Sequence, residues 1–290
     1  TVAPATATIA APEDAADTDT GMRWAVQPSG PDGPTGRSWF VYDLAPGEEI
    51  VDWVAVTNYS EIPLDFQVYA TDAYTTQDGG FALLTADGRP RDVGAWVALD
   101  SGTYQVPAGH RLDIPFRVVV PDNATPGDHA GGIVASVTTR RSDATGQQVD
   151  LDQRVAARVY LRVSGPAAPE LRVESVRVAY TNPVAPWDES AMTVTYVLRN
   201  TGNLRVSGTA RVRVDGPFGW RLAASGDADV PELLPGSTVT VTETVTGLAP
   251  AVRLAATVEV DPVTDEAALP RVTRTATAWA VPWLILAALV

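Results

Sequence analysis

The 290-residue chain sets 21 Lys and Arg against 35 Asp and Glu, a formal charge of −14, which excludes recognition of nucleic acid through a basic surface. Its 23 Gly and 23 Pro disfavour a helical build, while 45% hydrophobic residues suffice for folded cores. With no Cys and two His, disulfides, thiolate nucleophiles and Cys-ligated metal centres are excluded, and any metal site would need carboxylates to complete it.

Residues 1–21 are rich in Ala, Thr and Pro and carry Glu13, Asp14, Asp17 and Asp19. Such a segment buries too little apolar area to offset its ordering entropy, and a disordered tail is expected. Thr1 is not an initiator, so loss of a leader is expected as well. The run Arg37-Ser38-Trp39-Phe40-Val41-Tyr42 follows. Alternation turns either Trp39 with Val41 or Phe40 with Tyr42 inward, and predicts an exposed aromatic pair. Period two continues at residues 64–70, with Leu64, Phe66, Val68 and Ala70 on one face, and at residues 111–120. It is cleanest at residues 154–163, where Val155, Ala157, Val159, Leu161 and Val163 alternate with Arg154, Arg158, Tyr160 and Arg162.

Ser164-Gly165-Pro166-Ala167-Ala168-Pro169 joins a cluster of breakers to a linker's length, and the domain boundary is placed there. Strand periods return at residues 193–199, 210–214, 238–242 and 253–260. Glu243 falls where an inward residue belongs, which calls for a bulge or an edge strand. A weak repeat links the halves. Asn58-Tyr59-Ser60 in the first matches Asn200-Thr201-Gly202-Asn203 in the second, and Pro107-Ala108-Gly109 matches Pro235-Gly236. The expected fold is all-β, two tandem immunoglobulin-like β-sandwich domains over residues 22–165 and 166–270.

No charged residue follows Arg274, and the 16 residues 275–290 run apolar to the end. That is short of the roughly 20 a bilayer requires, while Trp279 and Trp283 stand where interfacial aromatics belong. A truncated transmembrane helix is expected over residues 275–290, with an interfacial anchor or a buried strand as competing readings.

Catalytic signals are weak. His129 follows Asp128 in a Pro-Gly-Asp-His-Ala-Gly-Gly run, the arrangement of an oriented general base, but no nucleophile motif accompanies it and a turn is the better reading. Asp227 and Asp229 could give calcium two of its six to eight oxygen ligands, and a solvated turn is again preferred. No catalytic residue, metal or cofactor is therefore assigned. Two surfaces are candidates for a ligand or partner: the stripe Arg154, Arg158, Tyr160 and Arg162, whose guanidinium forks suit carboxylates, and the aromatics Trp39, Phe40 and Tyr42.

The order of motifs adds a resemblance. Met22-Arg23-Trp24-Ala25-Val26-Gln27-Pro28, Trp39-Phe40-Val41-Tyr42-Asp43-Leu44, Pro46-Gly47, Val56-Thr57-Asn58-Tyr59-Ser60, Gly131-Gly132-Ile133 and Val159-Tyr160-Leu161-Arg162-Val163-Ser164-Gly165 resemble, in that order, the N-terminal domain of bacterial WxL-interacting proteins. The resemblance implies a signal peptide, tandem β-sandwiches and a C-terminal anchor. It further implies binding of peptidoglycan or another cell-wall polymer, with WxL-type or other surface proteins as partners. The expectation is a non-enzymatic protein on the extracellular face of a bacterial envelope, held by a single membrane-spanning helix. A strand-addition chaperone or pilus-like assembly component is the alternative, and a carboxylate-dependent hydrolase the third reading.

Overall fold

The computed structural model describes residues 22–142, 148–181, 190–248, 251–265 and 267–281. The tail at residues 1–21 and Trp283 lie outside them. In chain order the first strands are β1 (Trp24–Gly30), β2 (Gly33–Pro34), β3 (Phe40–Leu44), β4 (Glu49–Asn58), β5 (Leu64–Thr75) and β6 (Phe81–Leu83). One helical turn, α1 (Val93–Trp96), precedes β7 (Val97–Leu99), β8 (Thr103–Val106), β9 (Arg111–Val119), β10 (Gly127–Ser142) and β11 (Gln148–Val163). The second half supplies β12 (Leu171–Thr181), β13 (Ala191–Asn200), β14 (Val206–Asp215), β15 (Arg221–Ala224), β16 (Ala228–Leu233), β17 (Thr238–Thr246), β18 (Val252–Val263) and β19 (Val272–Ala280). The fold is all-β.

Alternating side chains give each sheet one apolar face, and opposed sheets bury those faces against each other. In the first half the sheets run β2-β1-β4-β9-β7 and β3-β11-β10-β5-β6, with β8 also beside β5. Their shared core holds Phe40, Val54, Phe66, Ile114, Ile133 and Leu161, each contributing about 1.5–3 kcal/mol through burial. The second half packs β12-β13-β17 on β15-β14-β18-β19, with β16 also paired to β14, around Met192, Tyr196, Leu198, Leu233 and Leu254.

The matched Asn motifs do the same work in both halves. Asn58, buried, donates from Nδ2 to the carbonyls of Ile62 (2.8 Å) and Val106 (3.0 Å), and its Oδ1 accepts the Ser60 amide (2.9 Å). Asn200, also buried, donates to Leu204 (2.7 Å) and Leu233 (2.9 Å), and its Oδ1 accepts the Gly202 amide (3.0 Å). The backbone repeats the correspondence, with the Asn58 amide on the His110 carbonyl and the Asn200 amide on that of Ser237. Each Asn thus ties the turn after one strand to the Pro/Gly turn before another.

Two features depart from, or decide between, the sequence expectations. Residues 275–280 are not the start of a helix. They belong to β19, which pairs antiparallel with β18 from Val260↔Val272 to Val252↔Ala280. Thr273, Thr275 and Thr277 face solvent while Ala276, Ala278 and the buried Ala280 turn to the core, a period of two that suits β-branched Thr. Among the described residues no helix is long and apolar enough to cross a membrane. Glu243 is placed without a bulge, because β17 is an edge strand and the half-buried carboxylate accepts a hydrogen bond from Tyr196 Oη at 2.6 Å.

Candidate functional site: a strand edge beside a fastened joint

β10 and β11 pair over their whole lengths, from Gly127↔Val163 to Ser142↔Gln148. Their outside neighbours are shorter. β5 pairs with β10 only over residues 131–136, and β3 runs parallel to β11 only from Val159 to Val163. The ribbon therefore runs out of the sandwich, and among the described residues no strand pairs with the outer edge of β11 from Gln148 to Arg158. Along its inward face Val163, Leu161, Val159 and Ala157 are buried, but the same aliphatic row continues to Leu151, 38% exposed, and Val149, 49% exposed. The alternation assigned to residues 154–163 reaches back to Val149, broken once on the inward face by the polar Gln153.

The outward face of the same strand carries Asp150, Asp152, Arg154 and Arg158. Asp150 accepts a hydrogen bond from Arg140 Nε at 2.8 Å, and Arg154 Nε lies 3.7 Å from Asp152. The Arg158 guanidinium sits 4.5 Å over the Phe81 ring. Trp39, just ahead of β3, is 51% exposed where β3 takes over the lane.

The rest of the predicted stripe is committed elsewhere. Arg162 Nε donates to Asp128 Oδ1 at 2.7 Å and Nη2 to Oδ2 at 3.1 Å. Asp128 Oδ2 also accepts the backbone amide of Arg205 from the second sandwich at 2.7 Å, and the Arg205 guanidinium lies 4.4 Å over the Tyr160 ring. Burial pushes the Asp128 carboxyl up, but the hydrogen bonds from Arg162 and the Arg205 amide outweigh it and hold it below the ordinary carboxylate value. Asn203 closes the joint, accepting the Asp128 amide on its carbonyl (2.7 Å) and donating from Nδ2 to the carbonyls of Pro126 and Pro166 (both 2.9 Å). The approach is so close that a Cβ on Gly127, at φ +123°, would lie 2.1 Å from the Asn203 oxygen. Tyr160 and Arg162 are therefore parts of the joint between sandwiches, not of a free binding face.

The aromatic surface is corrected in the same way. Phe40 is wholly buried, edge-on to Phe116 at 5.1 Å, and Tyr42 points inward to donate to Asp52 at 2.7 Å. Trp39 and Val41 take the outward positions, leaving Trp39 as the accessible ring of the three proposed. Trp279 is 73% exposed on β19 opposite Arg253, not on a helix.

His129 joins α1 to β10. Its Nδ1 lies 2.7 Å from the Asp92 carboxylate, its Nε2 is 2.8 Å from the Thr125 carbonyl, and the ring packs on Trp96 at 4.8 Å. With an acceptor at each nitrogen the imidazolium is favoured. Burial lowers its pKa, but Asp92 and the Thr125 carbonyl raise it by more, so the folded value lies above the ordinary one. Stability from this group is accordingly full below the unfolded pKa of about 6.5 and is lost as pH rises through the folded value. Urea midpoints of the native chain should fall between pH 5.5 and 8.5 by more than those of His129→Gln. Equal falls in the two proteins would remove the imidazolium assignment. Asp227 is paired with Arg211 at 2.5 Å, and among the described residues no group of three or more His, Cys, Asp and Glu is set to hold a metal.

No family model and no curated protein matches the chain. Among solved structures, the chain is similar to one from a chaperone–tip adhesin complex of CFA/I fimbriae biogenesis, at 10% identity and TM-score 0.41 over 90% of this chain and 99% of that one. The class 5 fimbriae chaperone CfaA gives 12% and 0.40 over 90% and 100%. A chain of the CsuC–CsuE chaperone–tip adhesion subunit pre-assembly complex, from archaic chaperone-usher Csu pili of Acinetobacter baumannii, gives 10% and 0.37 over 80% and 94%. The three are thus a fimbrial chaperone and chains of two chaperone–adhesin complexes. Residues 275–280 lie in β19, so the expected start of a C-terminal membrane helix there is corrected, and the expected peptidoglycan binder on such a helix is not carried forward.

Proposed function

We propose that the chain is a non-enzymatic component of the cell envelope that holds an extended segment of a surface protein by strand addition. The observation that carries the reading is the outer edge of β11 from Gln148 to Arg158. Its backbone groups lack a strand partner among the described residues, while Val149 and Leu151 extend the inward aliphatic row beyond the core. An added strand would draw affinity from main-chain hydrogen bonds and selectivity from alternate side chains. Two immunoglobulin-like sandwiches fastened through Asp128 and Asn203 give that edge a rigid support. The engagement of both His129 nitrogens supports a role without chemistry, and the resemblance of residues 22–165 to a surface-protein domain supports a place outside the cytoplasm.

The test uses a labelled peptide of alternating Val and Thr, as long as the free edge. Binding should protect the amides of residues 148–158 from hydrogen exchange. Val149→Asp with Leu151→Asp should weaken it by about tenfold or more. Equal binding of a peptide interrupted by proline, which cannot complete the ladder, would overturn the proposal, as would protection elsewhere in the chain.

A further inference from the structure

We infer that the free edge of β11 is self-complementary, and that two copies of the chain pair antiparallel along it with Gln153 on the two-fold axis. The inference rests on the strand-addition reading of this edge and names a second occupant for it, another copy of the same chain.

The lane has fixed ends. β11 begins at Gln148, and from Val159 onward the neighbouring position is filled by β3, with Trp39 at its mouth. Gln153 is the midpoint of what lies between. Turning one copy about that residue sets Leu151 against Val155 and Val149 against Ala157 on the inward face, covering the two exposed aliphatic side chains. On the outward face Asp152 meets Arg154 of the second copy, and by symmetry Arg154 meets its Asp152. Because Arg154 Nε already lies 3.7 Å from Asp152 within one chain, four charges of alternating sign surround the axis.

Other registers fail on charge. A slip by two residues places either Arg154 against Arg154 or Asp152 against Asp152 at the axis, and like charges directly opposite are destabilising. A slip by one turns the aliphatic row to the wrong face. An isologous pairing of this kind also hides an edge that would otherwise template unwanted association, and an incoming partner strand would have to displace the second copy.

The absence of Cys from the chain makes the register directly testable. In Gln153→Cys the two thiols face each other across the axis, with Cα atoms about 4.5–5.5 Å apart for directly opposed residues, within disulfide reach. Mild oxidation should yield a covalent dimer, and Asp150→Cys, remote from its own symmetry mate, should not. Asp152→Arg and Arg154→Asp should each be monomeric by analytical ultracentrifugation, and an equimolar mixture of the two should form a heterodimer. Equal cross-linking of both Cys variants, or a mixture that stays monomeric, would overturn the pairing. A native chain that stays monomeric while the Val/Thr peptide still protects residues 148–158 would overturn it and leave strand addition standing. Failure of both would remove the shared premise.

Discussion

Asp128→Ala is expected to destabilise the chain by about 3–5 kcal/mol, the cost typical of removing one partner from a buried charge network. Asp128 is 7% exposed and receives Arg162 on both carboxylate oxygens and the Arg205 amide on one of them. The substitution leaves the Arg205 amide without this acceptor and removes both bonds that Asp128 accepts from the Arg162 guanidinium. It also removes the link most directly shared by the two sandwiches, since Asp128 belongs to β10 and Arg205 lies just before β14. Denaturation of the native chain should be a single urea transition, and that of Asp128→Ala should separate into two. Asp128→Asn, which keeps an oxygen for the Arg205 amide, should lose less and stay cooperative. The pH dependence has a definite sign. Because the folded pKa is depressed, the contribution is present above the unfolded value of about 3.9 and fades as pH falls through the folded one. An Asp128→Ala protein with an unchanged single transition would show that the joint is held without it, by Asn203, by the Leu234 amide on Thr75 Oγ1 and by the Thr240 amide on the Gln77 carbonyl.

Local periodicity exposed the strands but not their partners. Val155 to Val163 announced one buried face because the period of two is written along the segment itself. The opposite face looked free because the groups that occupy Arg162 and Tyr160 are remote: Asp128 lies 34 residues earlier, and Arg205 belongs to the next sandwich. The aromatic run was ambiguous for a related reason. Alternation allows two phases, and only the packing of Phe40 against Phe116 selects one. At the chain end, apolarity and the placement of Trp279 and Trp283 outweigh the alternation of Thr and Ala at residues 275–280 in the sequence, although that alternation is the better guide to pairing with β18. The free edge of β11 was half visible: Val149 and Leu151 continue the alternation, but that β5 and β3 stop short of them is a property of the sheet alone.

The Asn repeat was legible as sequence and acquires an energetic meaning from the structure. Asn200→Ala removes the two donors that satisfy the carbonyls of Leu204 and Leu233, and one of the two acceptors of the Gly202 amide, which also donates to the Glu170 carbonyl. Asn200 is fully buried, so water cannot replace them without opening the end of the sandwich. Each stranded buried group costs about 1–3 kcal/mol, and a total near 3 kcal/mol is expected after local relaxation. Asn58→Ala should cost a similar amount in the first sandwich, and because the two sites share no partners the effects should add to within about 0.5 kcal/mol. Asn200→Asp separates hydrogen bonding from packing. It is nearly isosteric, but its carboxylate would face two carbonyl oxygens that the amide nitrogen now serves. At neutral pH it should therefore be at least as destabilising as Asn200→Ala. On acidification a protonated carboxyl regains one donor, so its urea midpoint should recover relative to that of Asn200→Ala at the same pH. A variant indifferent to pH, or an Ala substitution as stable as the native chain, would mean that the tie is packing alone.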